Sequence, residues 1–438
     1  MRFLIVVIVT LVLMSSYSFA DELETLKNEN VELRQRMEKL EGELKEIKQM
    51  IGERSTTAVI PVPPPVVEKV VEKEKPSVQT KYPVELYGYI KLDAAYDTAR
   101  MDNGNFPRWV LSESTNDNDD EFNMTARQSR FGLNIKGPDI SDSKTSGKVE
   151  VDFYEGGDEN KNRLMMRHAY LQLDWPESDF SILAGQTTDV ISPLFPPTVN
   201  YGIEWWSGNP GYRRPQLRLT KGFDVSGDSD LLFQCALTRT IGDTGTGFDP
   251  GDTGEDAGFP TLQGGAGYSF PLFADKKATV GLSGHWGKEE YDTDNTGGGI
   301  DYDTWSANID ITLPLAKKLT LKGEIWTGEN LDTYFAGIGQ GVNTTLRREI
   351  GSSGGWTALS LGPFNKWRFN LGGGIDNPEE DDLNDGNRTK NASIFGNVTY
   401  DINESVQMGL ELSQWETDYK NQENGDSFRV QSSLIYNF

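Results

Sequence analysis

The residues with chemistry to offer in this 438-residue chain are cations set at every second position. In "QSRFGLNIK", Arg130 and Lys136 share the polar side of an extended strand, and Lys148 lies on that of "KVEVDFY". In "RRPQLRL" the polar side holds Arg214, Gln216 and Arg218. A guanidinium presents paired N–H donors that match a carboxylate, and a row of cations along a wet passage decides which small ions pass. The chemistry these residues suit is electrostatic selection, with no bond made or broken. Asp93, Asp97, Glu150, Asp152, Glu324 and Glu411 share the same polar parity. Two arrangements stay open: acid on one wall with base on the other, or ion pairs that only hold the wall together.

Covalent chemistry finds little to work with. "GSSGG" (351–355) fits G-x-S-x-G, but it sits in a Gly/Ser loop without a strand-to-helix elbow. The two histidines, His168 and His285, stand in no base motif, and one cysteine, Cys235, leaves no thiolate set for a metal. No catalytic residue, metal or cofactor is expected. A net charge of −25 excludes a nucleic-acid partner. Acidic runs at 114–121, 252–258 and 376–387 read as solvated loops, and "DTDNTGGG" lacks the full spacing of a calcium loop.

The elements that must position these side chains have a period of two. Segments 84–97, 125–136, 146–155, 163–175, 179–188, 214–220, 229–241, 261–272, 277–287, 303–315, 318–328, 354–361, 366–374, 390–402, 404–416 and 427–438 alternate apolar with polar residues. Short turns such as "PES", "LAKK" and "INE" alternate with long loops at 98–124, 242–260, 288–302, 329–353 and 375–389. That sorting of connections, with aromatics near strand ends, is the pattern of a transmembrane barrel. Beyond the N-terminal segment there is no apolar run of about 18 residues for a spanning helix. The sequence therefore predicts an all-β transmembrane barrel of about 16 antiparallel strands over 84–438. Its last strand, "FRVQSSLIYNF", pairs with the first, because an open edge leaves backbone groups unsatisfied in lipid.

Ahead of the barrel, residues 1–20 read as a secretory signal peptide: Arg2, an apolar run and Ser18-Phe19-Ala20. Leu23, Leu26, Asn30, Leu33, Met37, Leu40, Leu44, Ile47 and Ile51 then recur three and four apart, a heptad seam over 21–52. The seam predicts self-association, with Asn30 setting register. Such a coil spans roughly 45 Å, enough for contact with the periplasm or cell wall. Residues 53–83, Pro-rich, read as a semi-rigid linker.

One long loop stands apart. Residues 187–213, "TTDVISPLFPPTVNYGIEWWSGNPGYR", are apolar and stiffened by Pro193, Pro196, Pro197 and Pro210. A loop this aromatic packs against something: either it folds into the lumen and narrows it, or it lies at a subunit interface.

The stretches "ELYGYIKLDAAYD", "QSRFGLNIKG", "VEVDFYEGG", "LMMRHAYLQL", "AGQTTD", "PPTVNYG" and "RRPQLRLT" resemble the DcaP-like trimeric outer-membrane channels, specifically over 84–220 and in architecture beyond. That resemblance implies a sixteen-stranded homotrimer in outer-membrane lipid, with a periplasmic coiled coil, that admits small, often dicarboxylic, anions. It also implies Arg130, Arg167, His168, Arg214 and Arg218 as pore residues. Glu204, a further candidate constriction residue, and the Trp205–Trp206 pair depart from the family pattern. By parity Arg167 falls on the outer face beside Ala169 and Leu171, so either a bulge shifts the register or Arg167 lies at a rim or interface. The expected function is passive diffusion of small hydrophilic solutes with mild preference for organic anions. The alternative is a structural anchor that tethers the membrane through its coiled coil.

Overall fold

The computed structural model describes residues 80–438 except 117–118, 155–160, 226, 243–252, 274–275 and 293–298, together with Lys39 and Gly42. The chain divides into Met1–Val78 and Gln79–Phe438, and the described residues belong almost entirely to the second unit. The signal peptide and the nine coiled-coil positions from Leu23 to Ile51 lie outside the described residues.

Alternation over ten or more residues makes strands, and these pair in sequence order. They are β1 (Val84–Asp97), β2 in two pieces (Glu121–Thr125 and Arg130–Lys136), β3 (Lys144–Asp152), β4 (Met165–Trp175), β5 (Phe180–Thr188), β6 (Arg213–Val225), β7 (Ser229–Thr238) and β8 (Thr261–Phe273). Then come β9 (Lys276–Asp292), β10 (Gly299–Ala316), β11 (Leu319–Glu329), β12 (Gly351–Phe364), β13 (Trp367–Pro378), β14 (Arg388–Asp401), β15 (Val406–Tyr419) and β16 (Gly425–Asn437). The two pieces of β2 pair with opposite ends of β1 and act as one interrupted strand. Counted so, sixteen antiparallel strands form one sheet.

The sheet closes where the last strand meets the first. β1 and β16 pair antiparallel from Tyr89↔Asn437 to Asp97↔Arg429. Gly88 and Phe438 exchange backbone hydrogen bonds at 3.2 and 3.1 Å, so the last residue is tied into the seam. Its ring lies 6.1 Å from Phe131. Within the seam Arg429 and Asp97 form a buried ion pair at 2.6 Å.

Polarity runs opposite to that of a water-soluble core. Leu86, Ile90, Leu92, Leu282, Ile325, Leu371 and Ile394 are exposed on the outside, whereas Lys91, Asp93, Asp97, Glu324, Glu411 and Arg429 are buried inside. Such a surface is stable only against hydrocarbon, where closed backbone pairing is obligatory.

Long and short connections alternate between the two ends, with departures from the sequence expectation. The loop expected at 288–302 is mostly strand, since β9 runs to Asp292 and β10 starts at Gly299. Alternation persists there because Tyr291 and Tyr302 both turn inward, their rings 5.4 Å apart. The acidic stretch at 376–387 is not wholly solvated: Asp376 is buried at the end of β13, accepting from Ser352 Oγ at 2.8 Å and the Ile338 N–H at 3.1 Å. "GSSGG" lies within β12, not in a loop.

The reversed polarity makes face, not residue type, decide the effect of a charge. Ile394→Lys, on the outer face of β14, should cost about 2–4 kcal/mol, whereas Thr399→Lys on its inner face should cost less than about 1 kcal/mol. Denaturant unfolding in lipid vesicles measures both. Equal costs would contradict the assignment of faces.

Candidate functional site

Loop 3 (189–212) enters the barrel and follows the inner wall, and its own backbone fixes the path. The Val190 N–H donates to Gln263 on β8 at 2.7 Å, and the Ser192 N–H to Ser283 on β9 at 3.2 Å. The Leu194 N–H meets Glu324 on β11 at 2.8 Å, and Asn397 on β14 donates to the Pro197 carbonyl at 2.8 Å. Glu411 on β15 accepts from the Val199 N–H at 2.6 Å and from Asn200 Nδ2 at 2.8 Å. Prolines suit this path because residues without an N–H leave no donor stranded on a dry wall. Lys91 on β1 closes the arc by donating to the Val199 carbonyl at 2.7 Å.

The wall has been thinned to receive the loop. At Gly374 a side chain would meet the Ser207 carbonyl at 2.2 Å, and at Gly208, with φ +126°, it would strike the Gly355 carbonyl at 2.3 Å. Glycine is needed on both surfaces so that the two backbones can touch. Trp326 donates to the Gly208 carbonyl at 2.8 Å across this contact.

Two other loops fold in against loop 3. Phe335 of loop 6 (330–350) lies 4.9 Å from Trp205, 4.5 Å from Trp206 and 4.2 Å from Tyr212. The Phe335 and Tyr334 carbonyls accept from the Trp206 and Gly211 N–H groups, each at 2.7 Å. From loop 1 (98–120), Trp109 packs edge-on to Trp206 at 6.3 Å. Arg388 lies 4.1 Å over Trp109. Trp109, Tyr201, Trp205, Trp206 and Ile338 thus form a dry cluster inside the long-loop half of the lumen.

The opposite wall, β2 to β6, carries the bases. Arg130 lies 3.5 Å from Glu150, Lys148 lies 3.7 Å from it, and Tyr87 donates to it at 2.7 Å. Arg167 bonds Glu150 and Asp152, each at 2.8 Å. It points inward because the register slips by one residue between Glu150 and Val151, so that His168 and Arg167 both face the lumen. A bulge, not a rim or interface position, resolves the parity conflict. Three permanent cations here share two carboxylates. Arg218 has no carboxylate at ion-pair distance among the described residues and donates through Nε to Gln216 at 2.8 Å. The side chains of Arg130 and Lys148 keep 20% and 27% exposure, so water reaches them.

The remaining predicted residues sit elsewhere. Lys136 is exposed at the short-turn end of β2. Arg214 is fully buried, bonded to Asp189 at 2.7 Å and lying 3.7 Å over the Tyr334 ring. It clamps loop 6 to the wall and lies away from the open lumen. Sequence reasoning did not single out Lys91, Arg213, Tyr334 or Phe335. Arg213 is buried beside Tyr212, at 4.4 Å, with Nε and Nη2 free of hydrogen bonds among the described residues. The one available signal was the Tyr334-Phe335 pair within a Gly-rich loop.

Glu204 is wholly buried in loop 3, where Ile203, Glu204 and Trp206 all have positive φ between 41° and 61°. Its carboxyl accepts from Ser207 Oγ at 3.0 Å and from Ser393 Oγ on β14, and its Oε1 has no hydrogen-bond partner among the described residues. Burial, reinforced by the nearby Glu411 charge, pushes the carboxyl up to about 7, against the two serine hydrogen bonds.

A closed sixteen-stranded barrel with an apolar exterior, a polar interior and a third loop laid on its inner wall defines the class: a porin-type outer-membrane barrel. The family model described as DcaP outer membrane protein matches residues 25–203, so the resemblance to the DcaP-like channels is shown. The outer membrane channel DcaP of Acinetobacter baumannii superposes with a TM-score of 0.65 at 21% identity, over 81% of this chain and 97% of that one. An anion-selective porin from Comamonas acidovorans gives 0.53 at 12% identity, over 82% and 100%. OmpF of Salmonella typhi, solved with daunomycin, gives 0.51 at 13% identity, over 82% and 98%. At these identities the likeness is one of fold. No curated protein matches the chain.

Burial raises the Glu204 pKa from 4.5 to about 7, so its contribution to stability is complete below about pH 4.5 and is lost as pH rises through 7. The melting temperature in detergent should therefore fall between pH 5 and pH 8. Glu204→Gln should reduce that fall by an amount on the order of 2–4 kcal/mol. Identical pH profiles for the two proteins would show that Glu204 does not titrate in this range.

Proposed function

We propose that the protein is a passive diffusion channel of the bacterial outer membrane for small hydrophilic solutes, with a mild preference for small organic anions such as dicarboxylates. It acts as a homotrimer, its coiled coil in the periplasm and its long loops outside. The observation that carries this reading is an asymmetry in how the lumen charges are used. Glu324 and Glu411 face the backbone N–H groups of loop 3, which shield their charge from a passing ion. Arg130, Lys148 and Arg218, on the other wall, retain water or lack an acid partner. A passing anion therefore meets more unspent positive than negative potential, in spite of a chain charge of −25. The Comamonas porin of the same fold, described as anion-selective, is consistent with such a lumen.

Selection here needs no chemistry beyond charge and width. Among the described residues His285 is bonded to Ser306 at 2.7 Å and Thr304 at 2.9 Å, and His168 to Thr187 at 3.0 Å, so both imidazoles are held by hydroxyls of the wall.

Replacing Arg130, Lys148 and Arg218 together by Ser should lower the chloride-to-potassium permeability ratio about two- to fivefold. That is the size expected of charges worth about 0.5–1 kcal/mol to an ion in a wet lumen. Reversal potentials in a KCl gradient across planar bilayers measure the ratio. A triple variant with unchanged selectivity would remove these residues from the filter, and a wild type that inserts without conducting would favour the tether.

A further inference from the structure

One part of the outer surface is hollow. On β11 to β14, Gly355 pairs with Ile325 and Ile375, and Gly373 pairs with Thr357 and Ile394. Small residues thus lie between large ones and leave an apolar groove of about 760 Å³, walled by Ile325, Leu371, Ile375 and Ile394. All four walls are exposed on the lipid face. Within hydrocarbon no water drives apolar surfaces together, and contact itself is the gain. A hollow left unfilled forfeits that contact, so a flexible hydrocarbon chain is suited to fill it.

Cations stand at the short-turn end of the same strands. Lys318, at the start of β11, lies 4.7 Å over the Phe364 ring, and Lys366, in the β12–β13 turn, lies 5.9 Å over Tyr400. Phe364 and Tyr400 both pair with Trp367, which places the three rings on the outer face as one belt. Lys366 donates to the Ile402 carbonyl at 2.6 Å, and Asp401 is bonded to Arg368 at 2.7 Å. Neither lysine has a carboxylate at ion-pair distance among the described residues. They are less than two strand spacings apart, about 10 Å, so one anionic group between them meets both.

The depth matches as well. Leu321 and Ile325, at the two ends of the groove on β11, lie three and seven residues from Lys318. At ~3.3 Å per residue and a tilt of ~40°, they lie about 8 and 18 Å deeper into the membrane. One leaflet of a core ~30 Å thick is about 15 Å deep. A chain whose head sits on the aromatic belt therefore lays its distal half in the groove.

We propose that this face binds an anionic glycerophospholipid of the short-turn leaflet, its phosphate between Lys318 and Lys366 and one acyl chain in the groove of β11 to β14. The site lies outside the lumen and is independent of the ion preference proposed above.

The test is native mass spectrometry of the full-length protein, released from detergent containing dipalmitoyl phosphatidylglycerol or dipalmitoyl phosphatidylcholine. The anionic lipid should half-saturate at about five- to tenfold lower concentration, the effect of two surface lysines on an anionic head group. Lys318→Glu with Lys366→Glu should bring the two lipids together. Thr357→Trp, which fills the groove from an exposed position, should weaken phosphatidylglycerol binding at least about threefold, and dihexanoyl phosphatidylglycerol should fail to compete. Leu219→Trp, an equal bulk on the outer face of β6, should change nothing. Equal binding of both lipids by the wild type, or an unchanged affinity in Thr357→Trp, would overturn the proposal. So would equal weakening by Leu219→Trp. Loss of the trimer in Thr357→Trp would assign the groove to a neighbouring copy and overturn it too.

Discussion

Hydrocarbon accepts no unpaired N–H or C=O group, and that constraint shapes the protein from its first strand to its last residue. It forces the sheet to close, so β1 and β16 must meet although they lie at opposite ends of the barrel sequence. Closure then separates two faces at every position. Large aliphatic residues turn to lipid, and whatever remains is enclosed in a lumen that is wide for sixteen strands. The enclosed residues are polar because the outside has taken the apolar ones. The buried Asp97–Arg429 pair and the Gly88–Phe438 backbone bonds mark the seam where this is accomplished.

An enclosed polar wall creates a second problem, since on its β11–β15 side Glu324 and Glu411 face inward with no cation at ion-pair distance among the described residues. Loop 3 meets it with backbone. Its N–H groups reach Glu324 and Glu411, its prolines remove donors that would find no acceptor, and glycines on β12 and β13 let it lie close. The loop is thereby placed by charge and by width together. Loops 1 and 6 then cover its outer side with Trp109, Tyr334 and Phe335, so the long-loop half of the lumen is narrowed by a dry aromatic cluster. Open, hydrated space remains beside Arg130 and Lys148.

Parity made most of this legible in the sequence. A period of two needs no knowledge of tertiary contacts, which is why the sixteen strands and the inward direction of Arg130, Lys148, Glu324 and Glu411 follow from spacing alone. Arg167 did not, because a bulge is a local exception to the period, and "RLMMRHAYLQL" carries no glycine or proline to announce it. Arg214 has the right parity, but its partners Asp189 and Tyr334 come from two loops whose paths depend on the folded wall. Loop 6 carries no period of two, and its two rings act only after loop 3 is in place. The longer β9–β10 hairpin was hidden by acidic residues on its outer face, which look like loop when their buried tyrosine neighbours are overlooked.

The proposed selectivity comes down to a lumen in which loop 3 occupies Glu324 and Glu411, while Arg130 and Lys148 stay open to water and Arg218 has no carboxylate at ion-pair distance among the described residues. The reversal potential of the unaltered protein in a tenfold KCl gradient tests this directly. The account predicts conductance with a potential of the sign set by chloride, despite the acidic chain. A potential of the sign set by potassium, or a folded barrel in the bilayer that carries no current, would contradict it.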